Sequence, residues 1–251
     1  MKHIAKRLLS LLLVVCLVLS VAVIPAGAAE TKLTSVYASY AAEGHTNAPI
    51  EDDVFEAKSD SITVSIMTTT DMHGRAYDWN SYTNSALSNN FLQAAKLVAE
   101  RRAAVDDSIL IDVGDILQGS ALSSYNILQE GGENSPMATA LRYIGYDAFV
   151  LGNHEFNYGM DILQRQLNYL TSESTETESK VGVSMANYLD ANTNNDKTRD
   201  WKTWNSYAPY VIKEYDGVKV AVMGIGNPNI ANWDVPENWK GIYFAGVVET
   251  Y

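Results

Sequence analysis

From Ser61 onward, short apolar runs rich in β-branched residues alternate with stretches that carry apolar residues at helical spacing. This alternation is the feature that most restricts the possible folds, because it is typical of α/β domains with parallel strands. The predicted strands and helices are, in chain order, residues 62–67 (strand), 91–99 (helix), 109–113 (strand), 136–144 (helix), 148–151 (strand) and 160–170 (helix). The predicted fold class is therefore α/β.

The second half of the chain changes in character. A polar segment, residues 171–180, precedes a predicted strand at 181–188, and a polar insertion covers residues 192–204. Two further apolar runs flank Asp216-Gly217, a dipeptide that strongly favours a β-hairpin turn. Residues 247–251 have the pattern of an opening helix, so we expect the domain to continue beyond Tyr251.

The N-terminal segment has the pattern of an export signal. Basic residues precede an apolar run at 8–24, and a proline and three small residues follow it at 25–28. We predict a signal peptide at residues 1–28, a flexible spacer at 29–60 and the N-terminal part of a folded domain at 61–251. An uncleaved membrane anchor remains an alternative for the apolar run. After cleavage no cysteine remains, since Cys16 is the only one.

The charge balance limits the partners of the chain. Lys plus Arg number 18 against 30 Asp plus Glu, which gives a formal net charge of −12. Such an excess of acid repels polyanions, so we predict no binding of polymeric nucleic acid. A small phosphate ester remains possible as a ligand where bound cations reverse the local field.

Polar residues of ligand type follow three of the predicted strands. An Asp-x-His-Gly sequence occupies residues 71–74, Gly-Asp occupies 114–115, and Gly-Asn-His-Glu occupies 152–155. Taken singly, each is explained by a turn or a helix cap. Since the carboxyl ends of parallel strands meet at one edge of a sheet, the three together predict a shared site. Carboxylate, imidazole and amide oxygen suit Mn²⁺, Zn²⁺ or Fe²⁺.

This set of motifs resembles the calcineurin-like metallophosphoesterases. The longer stretches 114–120 and 152–159 are similar to the exported superfamily of 5′-nucleotidases and 2′,3′-cyclic-nucleotide phosphodiesterases. The sequence at 155–159 and the later Trp233-Asp234 resemble the 2′,3′-cyclic-nucleotide 2′-phosphodiesterase/3′-nucleotidase branch. The resemblance implies a metallophosphoesterase-type αββα sandwich, which we expect to be truncated here before its second half.

The resemblance also implies a pair of metal sites. Asp71 and His73 would hold the first divalent ion, Asp115 would bridge both ions, and Asn153 would hold the second. The family's later histidine ligands have no counterpart, since the chain contains only His3, His45, His73 and His154. We therefore expect the second site to be incomplete in this chain and the missing ligands to lie beyond Tyr251.

Three further residues receive roles by resemblance. His154 would stabilise the developing charge on the phosphoryl group or protonate the leaving oxygen. Asn157 stands where the 5′-nucleotidase branch has an aspartate that orients this histidine. Asn187 matches an asparagine near the substrate, although an asparagine that ends a strand is equally explained as a turn former.

The expected function is that of an exported phosphoesterase with two divalent ions, Mn²⁺, Zn²⁺ or similar, that hydrolyses 2′,3′-cyclic nucleotides and 3′-nucleotides. We expect it to be secreted, periplasmic or at the cell surface, with no stable membrane span after signal cleavage. A 5′-nucleotidase or UDP-sugar hydrolase is the alternative enzyme. A non-catalytic surface or binding protein that keeps part of the fold is the alternative from another class.

Overall fold

A computed structural model of the chain describes residues 21–25, 61–190 and 207–250. The predicted spacer at 29–60 and the polar insertion at 192–204 lie outside the described residues. The strands are β1 Val21–Pro25, β2 Ser61–Thr69, β3 Trp79–Asn80, β4 Ser85–Ala86, β5 Asp107–Asp112, β6 Ala148–Phe149, β7 Gly182–Val183, β8 Tyr188–Asp190, β9 Val211–Tyr215, β10 Val218–Val222 and β11 Ile242–Phe244. The helices are α1 Phe91–Arg102, α2 Ala121–Glu130, α3 Pro136–Ile144, α4 Met160–Leu170, α5 Ile230–Trp233 and α6 Val247–Thr250, with a 3₁₀ turn at Pro236–Trp239.

The main sheet has five strands in the order β1-β2-β5-β6-β7. Strands β2, β5, β6 and β7 are mutually parallel, whereas β1 pairs antiparallel with β2. The register places Thr69 beside Asp112 and Asp112 beside Phe149. The carboxyl ends of β2, β5 and β6 therefore lie side by side, and the loops that leave them are neighbours.

Alternate residues of β5 pack on opposite faces of this sheet. Leu110 belongs to the larger core, in which residues of α1, α3 and α4 cover the sheet. Ile109 belongs to a smaller core with Ile62, Val64 and Tyr215, which includes the β9–β10 hairpin. Period-2 alternation along a strand produces this division. The domain is thus a layered α/β fold with a parallel sheet, which confirms the predicted fold class.

Several predicted elements have clear local causes. The Ser135 side chain caps α3 by accepting a hydrogen bond from the Ala138 N–H, and Pro136 occupies its first turn. The predicted hairpin turn is confirmed, because Asp216 and Gly217 have φ values of 48° and 83°. Two successive residues of positive φ match the type I′ turn that best suits the twist of paired strands.

The prediction of one continuous strand at 181–188 is wrong. The segment divides into β7, which belongs to the main sheet, and β8, which pairs antiparallel with β11. Between them, the Met185 N–H donates to the carbonyl of Ala208 and the Ala186 N–H to that of Gly224. The backbone therefore changes partners midway. Among the described residues, no helix has the length and apolar character needed to cross a bilayer.

Candidate metal centre

Three loops at the carboxyl edge of the main sheet are joined through their backbones. The N–H groups of Asp71, His73 and Gly74 donate to the carbonyl oxygens of Gly114, Asp115 and Ile116, at 3.0, 2.9 and 2.8 Å. The loop after β2 thus runs alongside the loop after β5, as if the parallel pairing continued beyond the strands. This arrangement fixes the first two sequence motifs relative to each other.

Three of the four candidate ligands have a left-handed backbone conformation. Asp71, His73 and Asp115 have φ values of 55°, 47° and 61°, in a region that residues other than glycine rarely adopt. Conformations of this kind persist where the surroundings over-determine them, and they concentrate at functional sites. Gly152 completes the fit, because a Cβ at this position would collide with Oδ1 of Asp115.

The side chains of the three loops converge. Ligand atoms of His73, Asp115 and His154 all lie within 4.8 Å of one another, and the two imidazole rings have centroids 5.0 Å apart. Oδ1 of Asp71 lies 3.7 Å from Nε2 of His73. The structure therefore brings together three of the predicted ligands, and it places His154, for which we predicted a catalytic role, in the same cluster. Asn153 lies in the same loop and is half-buried.

In both histidines Nδ1 lies within hydrogen-bond distance of an oxygen acceptor. Nδ1 of His73 lies 3.1 Å from the carbonyl oxygen of Gln118, and Nδ1 of His154 lies 2.7 Å from Oδ1 of Asn157. Since these oxygens can only accept, each Nδ1 carries the proton and Nε2 keeps its lone pair. Histidines that ligate metals are oriented by partners of this kind. The donor set therefore fits a divalent ion.

Known proteins are similar to this chain in sequence and in fold. A 2′,3′-cyclic-nucleotide 2′-phosphodiesterase/3′-nucleotidase of Haemophilus influenzae is 31% identical over 191 residues, which cover 71% of this chain and 26% of that protein. The calcineurin-like phosphoesterase YfkN from Bacillus subtilis has a similar structure, with a TM-score of 0.57 and 26% identity over 74% of this chain and 55% of that one. No family model matches. This chain belongs to the calcineurin-like phosphoesterase superfamily.

A second solved structure supports the assignment. The putative 5′-nucleotidase from Staphylococcus aureus has a TM-score of 0.60 and 26% identity, over 74% of this chain and 33% of that one. This chain thus spans about a quarter of the length of the curated Haemophilus relative and between a third and about half of these two solved chains.

Glu155 joins two of the loops that carry the candidate ligands. Its side chain is fully buried, and its two carboxylate oxygens accept hydrogen bonds from four backbone N–H groups. The donors are those of Asp115, Ile116, Leu117 and Gly152. Burial raises the pKa of this carboxyl above its ordinary value. The fourth residue of the Gly-Asn-His-Glu motif is therefore a clamp between two loops.

Asp112 is a second buried carboxyl, and sequence reasoning gave it no role. It accepts hydrogen bonds from the Thr69 hydroxyl at 2.5 Å and from the Gly114 N–H at 2.9 Å. Burial raises its pKa from 3.8 to about 7, and the nearby carboxylates of Glu155 and Asp71 add to the rise. The only available signal was its position, three residues before Asp115 at the end of a buried strand.

Asn187 lies away from the cluster's own contacts. Its amide donates to the carbonyl oxygens of Gly226 and Ala245 at 2.8 and 3.0 Å, and it accepts from the Gly226 N–H at 2.8 Å. The side chain is fully buried and ties three segments of the chain together. A contact between Asn187 and substrate stays a prediction.

Proposed function

We propose that this protein is an exported metal-dependent phosphoesterase that hydrolyses 2′,3′-cyclic nucleotides and 3′-nucleotides. The observation that carries the proposal is the convergence of His73, Asp115 and His154 on one side of three joined loops. The Haemophilus relative is named for the same two activities. Since the chain spans only part of that relative, the activity of the whole protein is part of the proposal.

Two divalent ions would complete the site, with Mn²⁺ or Zn²⁺ suited to its donors. Asp71 and His73 would hold the first ion, Asp115 would bridge both, and Asn153 would hold the second. When bound, such ions supply Lewis-acid activation of the phosphoryl group and of the attacking water. Oδ1 of Asp115 accepts a hydrogen bond from the backbone N–H of His154 at 2.8 Å, so the loop that carries His154 holds this carboxylate in place.

His154 would act on the oxygen atoms of the substrate. Its Nδ1 proton is engaged by Asn157, so Nε2 is the ring nitrogen that can exchange a proton or a hydrogen bond with the phosphoryl group. His154 is half-buried, which leaves the ring open to a ligand while restricting its motion. Asn157 acts as a positioning residue in this proposal, because it contacts the ring and not the reacting atoms.

The test is hydrolysis of 2′,3′-cyclic AMP, 3′-AMP and bis(p-nitrophenyl) phosphate after chelation and reconstitution with Mn²⁺ or Zn²⁺. We expect the 251-residue chain to bind about one weak divalent ion and to turn over feebly, and a form extended through the family's later histidines to turn over readily. Metal binding without hydrolysis by the extended form would favour a non-catalytic binding protein. Absence of metal binding would contradict the proposed site.

A 5′-nucleotidase is the second candidate, favoured by the similarity to the Staphylococcus structure. The two candidates differ in the position of the phosphate on the ribose. Rates on 5′-AMP and 3′-AMP, measured on one preparation of the extended form, separate them. A preference for 5′-AMP or for a UDP-sugar would replace the first candidate with the second.

We also propose that export removes residues 1–28 and leaves the protein secreted, periplasmic or at the cell surface. Strand β1 lies within this segment and pairs with β2. Cleavage would therefore expose the edge of β2. Mass spectrometry of the exported protein should show an N-terminus at or near Ala29. A membrane fraction that retains residues 8–24 would contradict cleavage.

A further inference from the structure

Asp234 lies behind the candidate catalytic histidine, although 80 residues separate the two in the sequence. Nδ1 of His154 is 2.7 Å from Oδ1 of Asn157, and Nδ2 of Asn157 donates to Oδ2 of Asp234 at 3.0 Å. The three side chains form a continuous hydrogen-bonded chain that leads away from the metal cluster. Only the contact between His154 and Asn157 takes part in the proposed function.

The direction of each hydrogen bond in this chain is fixed by Asp234. A carboxylate oxygen only accepts, so the amide of Asn157 must turn its NH₂ group toward Asp234 and its oxygen toward His154. The amide oxygen in turn only accepts, so Nδ1 of His154 must carry the ring proton. The carboxylate of Asp234, two hydrogen bonds away from the imidazole, therefore sets the tautomer in which Nε2 carries no proton.

Asp234 is itself held in place. Its Oδ1 accepts hydrogen bonds from the Val235 N–H and from Nδ2 of Asn238, both at 2.8 Å. Its carbonyl oxygen accepts from the Trp239 indole at 3.3 Å, and the Trp239 ring packs against Phe244. The turn that carries Asp234 is thus anchored to the aromatic core beneath it. Oδ2 is left for Asn157.

We propose that Asp234 is a positioning residue that acts through Asn157 to fix the tautomer and orientation of His154. This inference rests on the proposed role of His154 and deepens it. Asn157 alone does not determine the tautomer, because an amide can rotate by half a turn and offer either an acceptor or a donor. The carboxylate at 234 removes that choice. A relay of imidazole, amide and carboxylate thus takes the place of the direct aspartate contact expected in the 5′-nucleotidase branch.

The decisive variant is Asp234→Asn, which removes one charge and keeps the shape of the side chain. The Val235 N–H and Asn238 amide still require an acceptor, so the new NH₂ group would face the NH₂ group of Asn157. We expect the Asn157 amide to flip and to donate to Nδ1, so that the His154 proton moves to Nε2. Two-bond ¹H–¹⁵N spectra of the metal-free full chain at about pH 8, where an ordinary imidazole is neutral, report the tautomer directly.

The double variant Asn157→Asp/Asp234→Asn should return the His154 ring proton to Nδ1. A carboxylate at 157 accepts from His154 Nδ1 and from the new amide at 234, so the original tautomer should return. In the extended, metal-loaded form, kcat on bis(p-nitrophenyl) phosphate should fall about 10- to 100-fold in the single variant with KM little changed. Most of that loss should be recovered in the double variant. Asp161→Asn, on the exposed first turn of α4, is the charge-matched control and should change neither readout.

Retention of the Nδ1 proton in Asp234→Asn, or failure of the double variant to restore it, would overturn the proposal. Should Asp234→Asn fail to fold, Asn157→Leu interrupts the same relay without altering the turn at Asp234. In that variant the His154 ring proton should no longer prefer Nδ1. A ring proton that stays on Nδ1 counts against the proposal. If the tautomer changes in Asp234→Asn but the wild-type protein hydrolyses no nucleotide, Asp234 keeps its positioning role and the proposed function is wrong.

Discussion

Two buried charged clusters of this protein are built on opposite principles. Arg142, with a side chain 1% exposed, pairs with Glu178 at 2.8 Å. It also donates to the carbonyl oxygens of Tyr169, Leu170, Ser172 and Glu173. Its hydrogen bond to Glu178 holds the pKa of that carboxyl below its ordinary value. This charge is therefore neutralised within the protein itself.

The carboxyls beneath the candidate metal centre have no such partner. Asp112 and Glu155 are fully buried, and no lysine or arginine in the part of the chain that the structure describes forms an ion pair with either. Burial raises the pKa of both. Buried carboxyls with raised pKa values beside three ligand-type side chains are typical of a candidate functional site. The comparison separates a structural cluster around Arg142, which balances its own charge, from the candidate functional cluster, whose buried carboxyls are held by backbone and hydroxyl donors.

The largest expected effect is on the functional cluster. Asp115→Ala removes a proposed ligand to both ions, so turnover of the extended form should fall by more than the roughly 10³-fold that loss of one oxyanion donor causes. Metal binding should be lost, whereas the melting temperature of the metal-free chain should fall only by the few degrees expected when the hydrogen bond from the His154 backbone N–H is removed. Calorimetric titration with Mn²⁺ and a thermal melt measure both. The exposed Asp106→Ala is the matched control, and equal losses in the two variants would contradict the assignment.

His154→Ala tests whether the histidine in the cluster is catalytic or a ligand. Loss of a positioned proton donor should slow turnover by about 10² to 10⁴. Because the proposed ligands remain, the bound metal per chain should be unchanged, as measured by elemental analysis after dialysis. A variant that loses its metal would show that His154 ligates, in agreement with its position within 4.8 Å of His73 and Asp115.

Arg142→Met tests the structural cluster. Removal of the guanidinium leaves several carbonyl oxygens without a donor, so the free energy of unfolding in urea should fall by about 3 to 5 kcal/mol. Lys180→Met breaks the exposed ion pair with Glu173, whose side chains are 47% and 89% exposed, and should cost less than about 1 kcal/mol. Metal affinity should be unchanged in both. A weakened metal site in Arg142→Met would show that the two clusters are coupled.

The buried carboxyl of Asp112 should also make the stability of the protein depend on pH. The pKa of Asp112 is raised from 3.8 to about 7, so the folded state holds this proton more tightly than the unfolded state. Its contribution to stability is complete below about pH 4 and is lost as the pH rises toward 7, with a slope of at most about 1.4 kcal/mol per pH unit. Asp112→Asn should flatten the curve of the metal-free chain. An unchanged slope would assign the dependence to other groups.

Local patterns were sufficient where neighbouring residues determine the structure. Helix α4 has the predicted bounds, because its apolar residues recur at helical spacing, and the Asp216-Gly217 hairpin needs only two residues that tolerate positive φ. Helix α2 was not predicted. Its buried face carries Ser123, Asn126 and Ile127, so apolar periodicity is weak, although Ser120 caps the helix and Gly131 ends it.

The sequence by itself determined the ligand-type residues and the edge at which they meet, since parallel strands place their carboxyl ends together whatever the rest of the chain does. Only the tertiary structure decided how those residues are held. Glu155 clamps two loops through four N–H groups, and Asp234 reaches His154 through Asn157. Such contacts join segments about 40 to 80 residues apart. Their partners are mostly backbone N–H groups, which every residue except proline carries, so no pattern of residue types predicts these contacts.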